Sequence, residues 1–477
     1  MTTTNYSKLA RRELLALIGK YLIANTLEEN IDRIPFDMHP RYRSGMRCCV
    51  RKERAIVKYR TMAFLGYNTY DETNEVTPLS EYARMAKNRV EETNVHLTVV
   101  DEACTSCVIS KYVVTNLCRG CVARPCIYAC PQKAISVTDK AWINPDDCTN
   151  CGLCLQACPF HAIIYQPVPC EEVCPVNALS KDENGVEVID TEKCIYCGSC
   201  MDICPFGAIM EKSQLLHIFQ DLHQNKKMVA MVAPSVAGQF QTGLGRLITA
   251  IKKIGFTEVI EIAEGAGTTT KNEAAEFTER ILENGEPFMT TSCCPAYVNL
   301  VELHIPELKP FISHTKSPMS YTADIVKERF GHDVLTVAIV PCVAKRSEAH
   351  RDKNTDFVMS VEELSSLFVA AEIDVMDCEE TPLNPAIEKG SRLFPISNGV
   401  TNSIKNKLAD SSKFTPVLVD GISKKVIREL HKFVKSGCPG NIIEVMSCKG
   451  GCVNGCLNIN SSKAAARQIQ KQNEQLK

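Results

Sequence analysis

Two runs of cysteine in this chain share one spacing, CxxCxxCxxxCP. Their members are Cys148, Cys151, Cys154 and Cys158 in the first run, and Cys194, Cys197, Cys200 and Cys204 in the second. Thiolates at this spacing bind [4Fe–4S] clusters: the three close cysteines surround one cluster, and the fourth, before proline, reaches a neighbouring cluster. Structural zinc sites use paired CxxC or mixed Cys and His sets instead. The spacing therefore favours iron–sulfur clusters over zinc.

The pattern is that of bacterial ferredoxins, and it lies in an internal repeat whose copies begin at Pro125 and Pro169. Cys118 and Cys121 precede the first copy. Together with Cys126 and Cys130 they form a second ferredoxin-like cysteine run, with a longer second gap, so that the first copy has the eight cysteines of a two-cluster ferredoxin. The crossing rule predicts three clusters, bound by Cys118, Cys121, Cys126 and Cys158, by Cys148, Cys151, Cys154 and Cys130, and by Cys194, Cys197, Cys200 and Cys174. Clusters in series carry single electrons between a surface and a buried site; the alternative is that they only stabilise the fold.

A fourth accessory cluster is predicted from the cysteines that remain. Sixteen cysteines lie between Cys104 and Cys204, and four clusters need that number. The second repeat lacks a CxxC pair of its own, and Cys104 and Cys107 supply one just before the block. We therefore expect Cys104, Cys107, Cys170 and Cys204 to form one site. The alternative is three clusters with four spare thiols.

Composition excludes several other classes of protein. The chain has 477 residues and a net charge of −2, which argues against a nucleic-acid-binding protein held by a general positive field. It holds no apolar run of about 18 residues, so we expect no membrane span, and its first residues lack the features of a secretory leader. In a reducing cytoplasm dense cysteines bind metal more often than they pair. We therefore expect a cytoplasmic protein.

Composition shifts divide the chain into four parts. We expect a mostly helical region of unknown role at 1–100, an α+β ferredoxin-like domain with hairpins at 101–212, an α/β catalytic domain with mainly parallel sheets at 213–460, and a polar tail at 461–477. In the α/β domain we predict strands at 228–233, 258–262, 287–290, 335–340, 416–419 and 442–446. We predict helices there at 244–254, 271–283, 296–304, 318–330, 361–371 and 423–435. The Gly- and Thr-rich run 265–270 is interpreted as a turn.

Three cysteine segments lie at the ends of predicted strands of the α/β domain. They are TSCCP with Cys293 and Cys294, PCVAK with Cys342 and Lys345, and CKGGC with Cys448 and Cys452. Open α/β sheets bind ligands at the carboxyl ends of their strands, and the paired glycines of the third segment let the backbone approach a bulky ligand. Together the three segments, in this order, closely resemble the signatures of the [FeFe]-hydrogenases.

That resemblance implies the cofactors and their ligands. Cys294, Cys342, Cys448 and Cys452 would bind a [4Fe–4S] cubane. Cys452 would also bridge to a two-iron unit that carries CO, cyanide and a dithiolate with a central amine, and that binds hydrogen at an open iron. Cys293 would exchange a proton with the amine, and Lys345 would contact one cyanide. The other cyanide would lie in the loop of Ala233, Pro234 and Ser235.

The resemblance also implies a proton path through Glu273, Ser313, Glu276 and Arg280. Glu273, Glu276 and Arg280 fall on one stripe of a helix, and from the residues alone a solvated charged face would be the better interpretation. The chain departs from well-known members around the metal pocket, where Met319 and Val340 replace Gln and Met. These departures resemble a less-studied ferredoxin-bearing branch of the family.

The resemblance therefore implies an [FeFe]-hydrogenase that interconverts two protons and two electrons with H2. It would exchange electrons with ferredoxin or a similar soluble carrier, and maturation proteins would supply the two-iron unit. Neither nucleic acid nor a membrane is expected as a partner. The alternatives are a hydrogen sensor, an iron–sulfur assembly or carrier protein descended from hydrogenases, and a subunit of an NAD-linked complex.

Overall fold

The computed structural model describes residues 5–42, 47–72, 74–89, 94–105, 107–108 and 111–475. The α/β region contains two sheets in which every strand pair is parallel. Its strands are β9 (Met228–Val232), β10 (Glu258–Glu261), β11 (Met289–Thr290), β12 (Leu335–Val340), β13 (Phe357–Ser360), β14 (Pro416–Asp420) and β15 (Ile442–Met446). One sheet has the order β10-β9-β12-β13 and the other the order β11-β15-β14. The prediction of mainly parallel sheets is thus confirmed.

Burial explains why these segments are strands. Every residue of β9 and β15 is buried, as expected for parallel strands covered on both faces. The helices that cover them are α10 (Leu215–His223), α11 (Leu244–Ile254), α12 (Ile262–Phe277), α13 (Pro295–His304), α14 (Pro318–Phe330), α15 (Ala344–Arg351), α16 (Val361–Ala370), α17 (Lys389–Arg392), α18 (Gly399–Lys405) and α19 (Lys424–Ser436). The short strand β13 was missed by the sequence analysis, and β11 is shorter than predicted.

The interpretation of 265–270 as a turn is wrong, because this run lies inside α12. Gly265 lets α12 pack tightly on α14: a Cβ at this position would lie 2.2 Å from the carbonyl oxygen of Pro318. The hydroxyls of Thr269 and Thr270 donate to the carbonyls of Gly265 and Ala266, one turn earlier. The helix continues into a π-helical turn at Thr278–Glu283. Close packing between helices thus overrides the weak helix propensity of Gly and Thr.

The cysteine-rich region consists of short strands and helices. Its strands are β1 (Leu97–Val99), β2 (Tyr112–Val114), β3 (Ile135–Val137), β4 (Ala141–Ile143), β5 (Ile163–Tyr165), β6 (Leu179–Lys181), β7 (Glu187–Ile189) and β8 (Ile209–Glu211). Its helices are α6 (Pro125–Tyr128), α7 (Leu153–Ala157), α8 (Pro169–Val173) and α9 (Ser199–Ile203). β3 pairs with β4 and β6 with β7, both antiparallel, which confirms the hairpins predicted in the two spacers.

The described part of the N-terminal region contains five α-helices, and it contacts both other regions. Its helices are α1 (Tyr6–Ile23), α2 (Leu27–Asn30), α3 (Ile34–Met38), α4 (Val50–Phe64) and α5 (Leu79–Lys87). Glu362 of α16 is fully buried, and it accepts hydrogen bonds from Arg11 at 2.6 Å and Arg12 at 3.2 Å on α1. Arg60 of α4 donates to the carbonyls of Phe206 and Gly207 in the cysteine-rich region. This region therefore holds the two others together.

The expected polar tail is a helix, α20 (Ser462–Gln475), that packs on the α/β region. Ala465 and Ile469 are buried, and the Gln468 amide donates to the carbonyl of Thr242 at 2.8 Å. Although the segment is mostly polar, Ala465 and Ile469 lie one turn apart on the same face of the helix, and this face packs on the α/β region. Within the described ranges, no helix is long and apolar enough to cross a membrane.

Candidate active site

The carboxyl ends of four parallel strands meet at one cavity. The cavity is lined by residues that follow β9, β11, β12 and β15 in the chain, which is where open α/β sheets bind ligands. The predicted residues among them are Ala233, Pro234, Ser235, Cys293, Cys294, Cys342, Lys345, Cys448 and Cys452. Met319 and Val340 line the same cavity. Three segments that are distant in sequence thus face one space.

Four thiols in this cavity suit a thiolate-binding metal group. Cys294 lies directly before Pro295, the first residue of α13, so its position is fixed by the start of that helix. Burial, and then the nearby Cys294 thiol, raise the pKa of Cys452 to about 12. Burial also raises the pKa values of Cys342 and Cys448 well above their usual range. Four soft thiol ligands that line one buried cavity are the donor set that an iron–sulfur cubane requires.

Lys345 and Ser235 offer polar hydrogens to the same space. The Lys345 ammonium donates to Glu348 Oε2 at 2.6 Å and to Ser317 Oγ at 3.3 Å. Burial favours the neutral amine, but the Glu348 carboxylate outweighs burial and raises the pKa of Lys345, so the side chain stays cationic. Ser235 Oγ is buried and has no hydrogen-bond partner in the described parts of the chain. A buried cation and a buried free hydroxyl fit small anionic ligands.

A line of polar side chains leads from the cavity towards the surface, along α12. The Ser313 hydroxyl donates to Glu276 Oε2 at 2.6 Å, and Arg280 Nη1 donates to Glu276 Oε1 at 2.8 Å. Arg280 also donates to Glu286 at 2.8 Å, and the Glu286 side chain is partly exposed. The structure thus brings together the residues predicted for the proton path. They do not form a simple solvated face, because Arg280 and Ser313 are buried.

Glu273 is the innermost carboxyl of this line. It is fully buried, and its carboxyl oxygens form no hydrogen bond of standard geometry in the described parts of the chain, although the Ser292 backbone N–H and the Ser313 hydroxyl lie close to them. Burial, and to a smaller extent the charge of Glu276, raise the pKa of Glu273 to about 8. The Glu273 carboxylate in turn helps to raise the pKa of Cys293, which burial shifts most. A carboxyl with a pKa near neutrality can both accept and release a proton.

The sequence analysis missed Glu444. This residue is fully buried in β15 and lies close enough to Glu273, Cys293 and Cys452 to influence their pKa values. Its carboxylate accepts hydrogen bonds from the backbone N–H groups of Asn398 and Thr401 at 2.6 and 2.8 Å, at the start of α18. A single acidic residue inside the apolar run of β15 was the signal that could have identified it.

Several of the accessory cysteines lie near one another, although their assignment to individual clusters stays a prediction. Cys126 interacts electrostatically with Cys121 and Cys158, and Cys118 packs in the same cluster of side chains. One small cavity is lined by Cys130, Cys148, Cys151 and Cys154. The Cys200 thiol interacts with Cys174, Cys194 and Cys197, and the Cys170 thiol with Cys104, Cys107 and Cys204.

Cys456 lies between the accessory cysteines and the cavity. A Cβ added at Gly198 would lie 2.2 Å from Cys456 Sγ, so the loop that carries Cys197 is in contact with it. The Cys456 thiol also influences the pKa values of Cys342 and Cys448. Cys456 is therefore at the junction between the cysteine-rich region and the cavity.

Parts of this chain are similar to known proteins. Residues 226–456 match the family described as "Iron only hydrogenase large subunit, C-terminal domain". Residues 141–164 and 187–210 match the "4Fe-4S binding domain" family. An apo [FeFe]-hydrogenase of Chlamydomonas reinhardtii aligns with a TM-score of 0.43 at 21% identity, over 54% of this chain and 88% of that chain.

Relatives fall into two groups. Iron hydrogenase 1 of Clostridium pasteurianum is 30% identical over 66% of this chain, and the aligned part covers 64% of that relative, less than two thirds of its length. The periplasmic [Fe] hydrogenase large subunit of Nitratidesulfovibrio vulgaris is 28% identical over 48% of this chain and 68% of its own length. Cytosolic iron-sulfur assembly component 3 of Bos taurus is 24% identical over 53% of this chain and 66% of its own length. The chain is therefore similar to the catalytic domain of iron-only hydrogenases over residues 226–456 and to 4Fe–4S binding domains over residues 141–164 and 187–210.

Proposed function

We propose that this protein interconverts two protons and two electrons with H2, and that it exchanges the electrons with a ferredoxin or a similar one-electron carrier. One observation carries the proposal: the cavity that gathers Cys294, Cys342, Cys448 and Cys452 is also lined by Cys293 and Lys345. Cys293 in turn lies close to Glu273, the innermost residue of the line formed with Ser313, Glu276 and Arg280. A centre that makes or consumes H2 needs both metal ligands and a proton exit.

In this proposal the four cysteines bind a cubane, and Cys452 also binds a two-iron unit. When bound, that unit supplies the iron centre at which the H–H bond forms or breaks. Lys345 and Ser235 would donate hydrogen bonds to the small anionic ligands of that unit, and Met319 and Val340 would help to exclude water from the cavity. Cys104 to Cys204 supply four accessory [4Fe–4S] sites.

Protons pass between the cavity and solvent through this chain's own side chains. The Cys293 thiol holds the proton nearest the cavity and exchanges it with the Glu273 carboxyl. Ser313 links Glu273 to Glu276 by accepting one proton and releasing another, and Arg280 and Glu286 connect Glu276 to solvent. The raised pKa of Glu273, about 8, matches proton exchange near neutral pH.

Infrared spectroscopy tests the proposal. After loading by hydrogenase maturation proteins, the protein should show bands of iron-bound CO and cyanide, and it should catalyse exchange of H2 with D2O. A protein that binds accessory clusters but shows neither would contradict it. That result would favour an iron–sulfur assembly role instead, a candidate that the likeness to cytosolic iron-sulfur assembly component 3 supports. Bands with very slow exchange would favour a hydrogen sensor.

A further inference from the structure

We propose that Gln239 is a positioning residue: its amide ties the turn Pro234–Gly238, which carries Ser235, to the segment that follows Cys452. The place of the Ser235 hydroxyl at the cavity then depends on Gln239 and on the C-terminal helix α20, which packs over the turn. The inference rests on the proposed function, in which Ser235 donates to a small anionic ligand. The alternative is that the backbone of the turn holds Ser235 by itself.

The Ser235 hydroxyl is the group whose position matters. Ser235 lines the cavity and is 1% exposed, and its Oγ has no hydrogen-bond partner among the described residues. A buried hydroxyl without a partner is unfavourable unless a ligand completes its hydrogen bonding. Such a hydroxyl meets a ligand only if its backbone is held at a fixed place relative to the rest of the cavity. The anchors of the turn therefore decide whether Ser235 can donate.

The start of the turn is attached to the sheet. The backbone N–H of Ala233 donates to the carbonyl of Ile339 in β12 at 3.1 Å. The N–H of Val236, which is fully buried, donates back to the Ala233 carbonyl at 2.9 Å. These bonds fix the turn at the end that leaves the strand, and a side chain fixes the other end.

Gln239, directly after the turn, supplies this second anchor. It is 3% exposed. Its Oε1 accepts hydrogen bonds from the backbone N–H groups of Ile459 at 3.1 Å and Asn460 at 2.9 Å. Its Nε2 donates to the carbonyl of Ser235 at 3.4 Å. One amide thus joins the backbone of Ser235 to a segment distant in sequence, and an apolar side chain in its place would remove all three hydrogen bonds at once.

The same distant segment is fixed to Cys452, which lines the cavity together with Ser235. The Asn458 side-chain amide donates to the carbonyl of Cys452 at 2.9 Å. The Asn460 side-chain amide donates to the carbonyl of Gly238, the last residue of the turn, at 3.1 Å. Through the glutamine amide and these two bonds, the position of Ser235 is set relative to Cys452.

The helix α20 closes the outer side of the turn. A Cβ added at Gly238 would lie 2.5 Å from the carbonyl oxygen of Ala465, so the helix and the turn are in direct contact. Ala465 and Ile469 also pack with Val453, the residue after Cys452. The helix thus lies on both segments that the glutamine amide connects, and it leaves the turn no room to move away from the cavity.

Hydrogen–deuterium exchange of the protein before it is loaded with the two-iron unit tests the anchor directly. Gln239→Met keeps the length and most of the volume of the side chain but removes its amide. We expect peptides covering 233–239 and 457–461 to exchange several times faster in this variant than in wild type. The matched control is Gln472→Met, since Gln472 of α20 donates to the carbonyl of Thr242 at 2.9 Å, outside the turn. The control should change the exchange of neither peptide.

Infrared spectroscopy of the loaded protein tests the effect on the ligand. Ser235→Ala removes the hydroxyl and should shift one cyanide band. Gln239→Met should shift the same band in the same direction by a smaller amount, because the hydroxyl is kept but is no longer held in place. Gln472→Met should leave the band unchanged.

Three results would overturn the inference: unchanged exchange of both peptides in Gln239→Met, equally fast exchange in Gln472→Met, or a cyanide band that Ser235→Ala shifts and Gln239→Met does not. Absence of cyanide bands in wild type would instead contradict the proposed function, and the exchange rates would still decide whether Gln239 holds the turn. If Gln239→Met does not fold, Gln239→Asn replaces it. Its amide is one methylene shorter and cannot span both contacts, so the same faster exchange and the same band shift are expected.

Discussion

The Ser313 hydroxyl donates to Oε2 of Glu276 over 2.6 Å, and this bond joins the buried end of the polar line to its solvent-facing end. Glu276 also accepts hydrogen bonds from the His314 backbone and from Arg280, and together these donors outweigh burial and hold its pKa below the usual range. Glu276 is thus an ionised carboxylate between a neutral, buried carboxyl and the surface.

Glu276→Gln should lower H2 turnover strongly, because the amide keeps the shape and hydrogen bonds of the carboxylate but cannot carry a proton by ionisation. The infrared bands of the active site should not change. Glu279→Gln is the control, since Glu279 is exposed on the next turn. Near-normal turnover in Glu276→Gln would mean that protons leave by another route.

Cys293→Ala should leave the iron content unchanged and reduce turnover severely, because the thiol nearest the cavity is lost while the four proposed ligands remain. Iron analysis and H2 evolution with a chemical reductant measure the two effects. Cys378 is a buried thiol outside the cavity, so the control variant Cys378→Ala should change neither the iron content nor the rate of H2 evolution. If Cys293→Ala loses iron, Cys293 is itself a ligand.

The raised pKa of Glu273 predicts a pH dependence of stability. Between its unfolded value near 4.5 and about 8, the folded protein holds a proton that the unfolded chain releases. Its contribution to stability is therefore full below about pH 4.5 and is lost as the pH rises to about 8, by on the order of 5 kcal/mol. Glu273→Gln removes this loss, so its melting temperature should rise relative to wild type between about pH 6 and pH 9. An identical pH profile for both proteins would show that Glu273 is ionised in the fold.

Glu362→Ala should destabilise the protein by about 3–5 kcal/mol, because it leaves the buried Arg11 and the half-buried Arg12 without their carboxylate. Chemical denaturation followed by circular dichroism measures the loss. The control is Asp202→Asn, which breaks a more exposed ion pair with Lys8 and should cost less than about 1 kcal/mol. An equal loss in the free energy of unfolding in the two variants would mean that Glu362 does not anchor α1.

Gly265→Ala and Gly267→Ala form a matched pair on α12. At Gly265 a Cβ would lie 2.2 Å from the Pro318 carbonyl oxygen, whereas at Gly267 the nearest atom would be 3.5 Å away. We expect the first change to destabilise by about 1–3 kcal/mol through overpacking and the second to stabilise by up to about 1 kcal/mol through helix propensity. The melting temperatures of both variants test this prediction. A higher melting temperature for Gly265→Ala than for Gly267→Ala would contradict the tight packing of α12 on α14.

The sequence alone determined the features of this protein that depend on neighbouring residues, namely the cysteine motifs and the buried strands. Cluster-binding patterns are short because the ligands of one cluster come largely from one loop, so Cys148, Cys151 and Cys154 were recognisable without a fold. The strands β12 and β15 were predicted with their observed bounds, because parallel strands buried on both faces are continuous apolar runs.

Only the tertiary structure decided features that depend on contacts between distant segments. Gly265 to Thr270 has the composition of a turn, yet packing against α14 makes it helical. Glu444 gains a role only because β15 lies beside Cys293 and Glu273. Lys111 contacts both Glu171 and Asn150, which lie in different cysteine-bearing segments. Such contacts have no sequence signature, because they arise from the relative placement of elements and not from the local chemistry of any one of them.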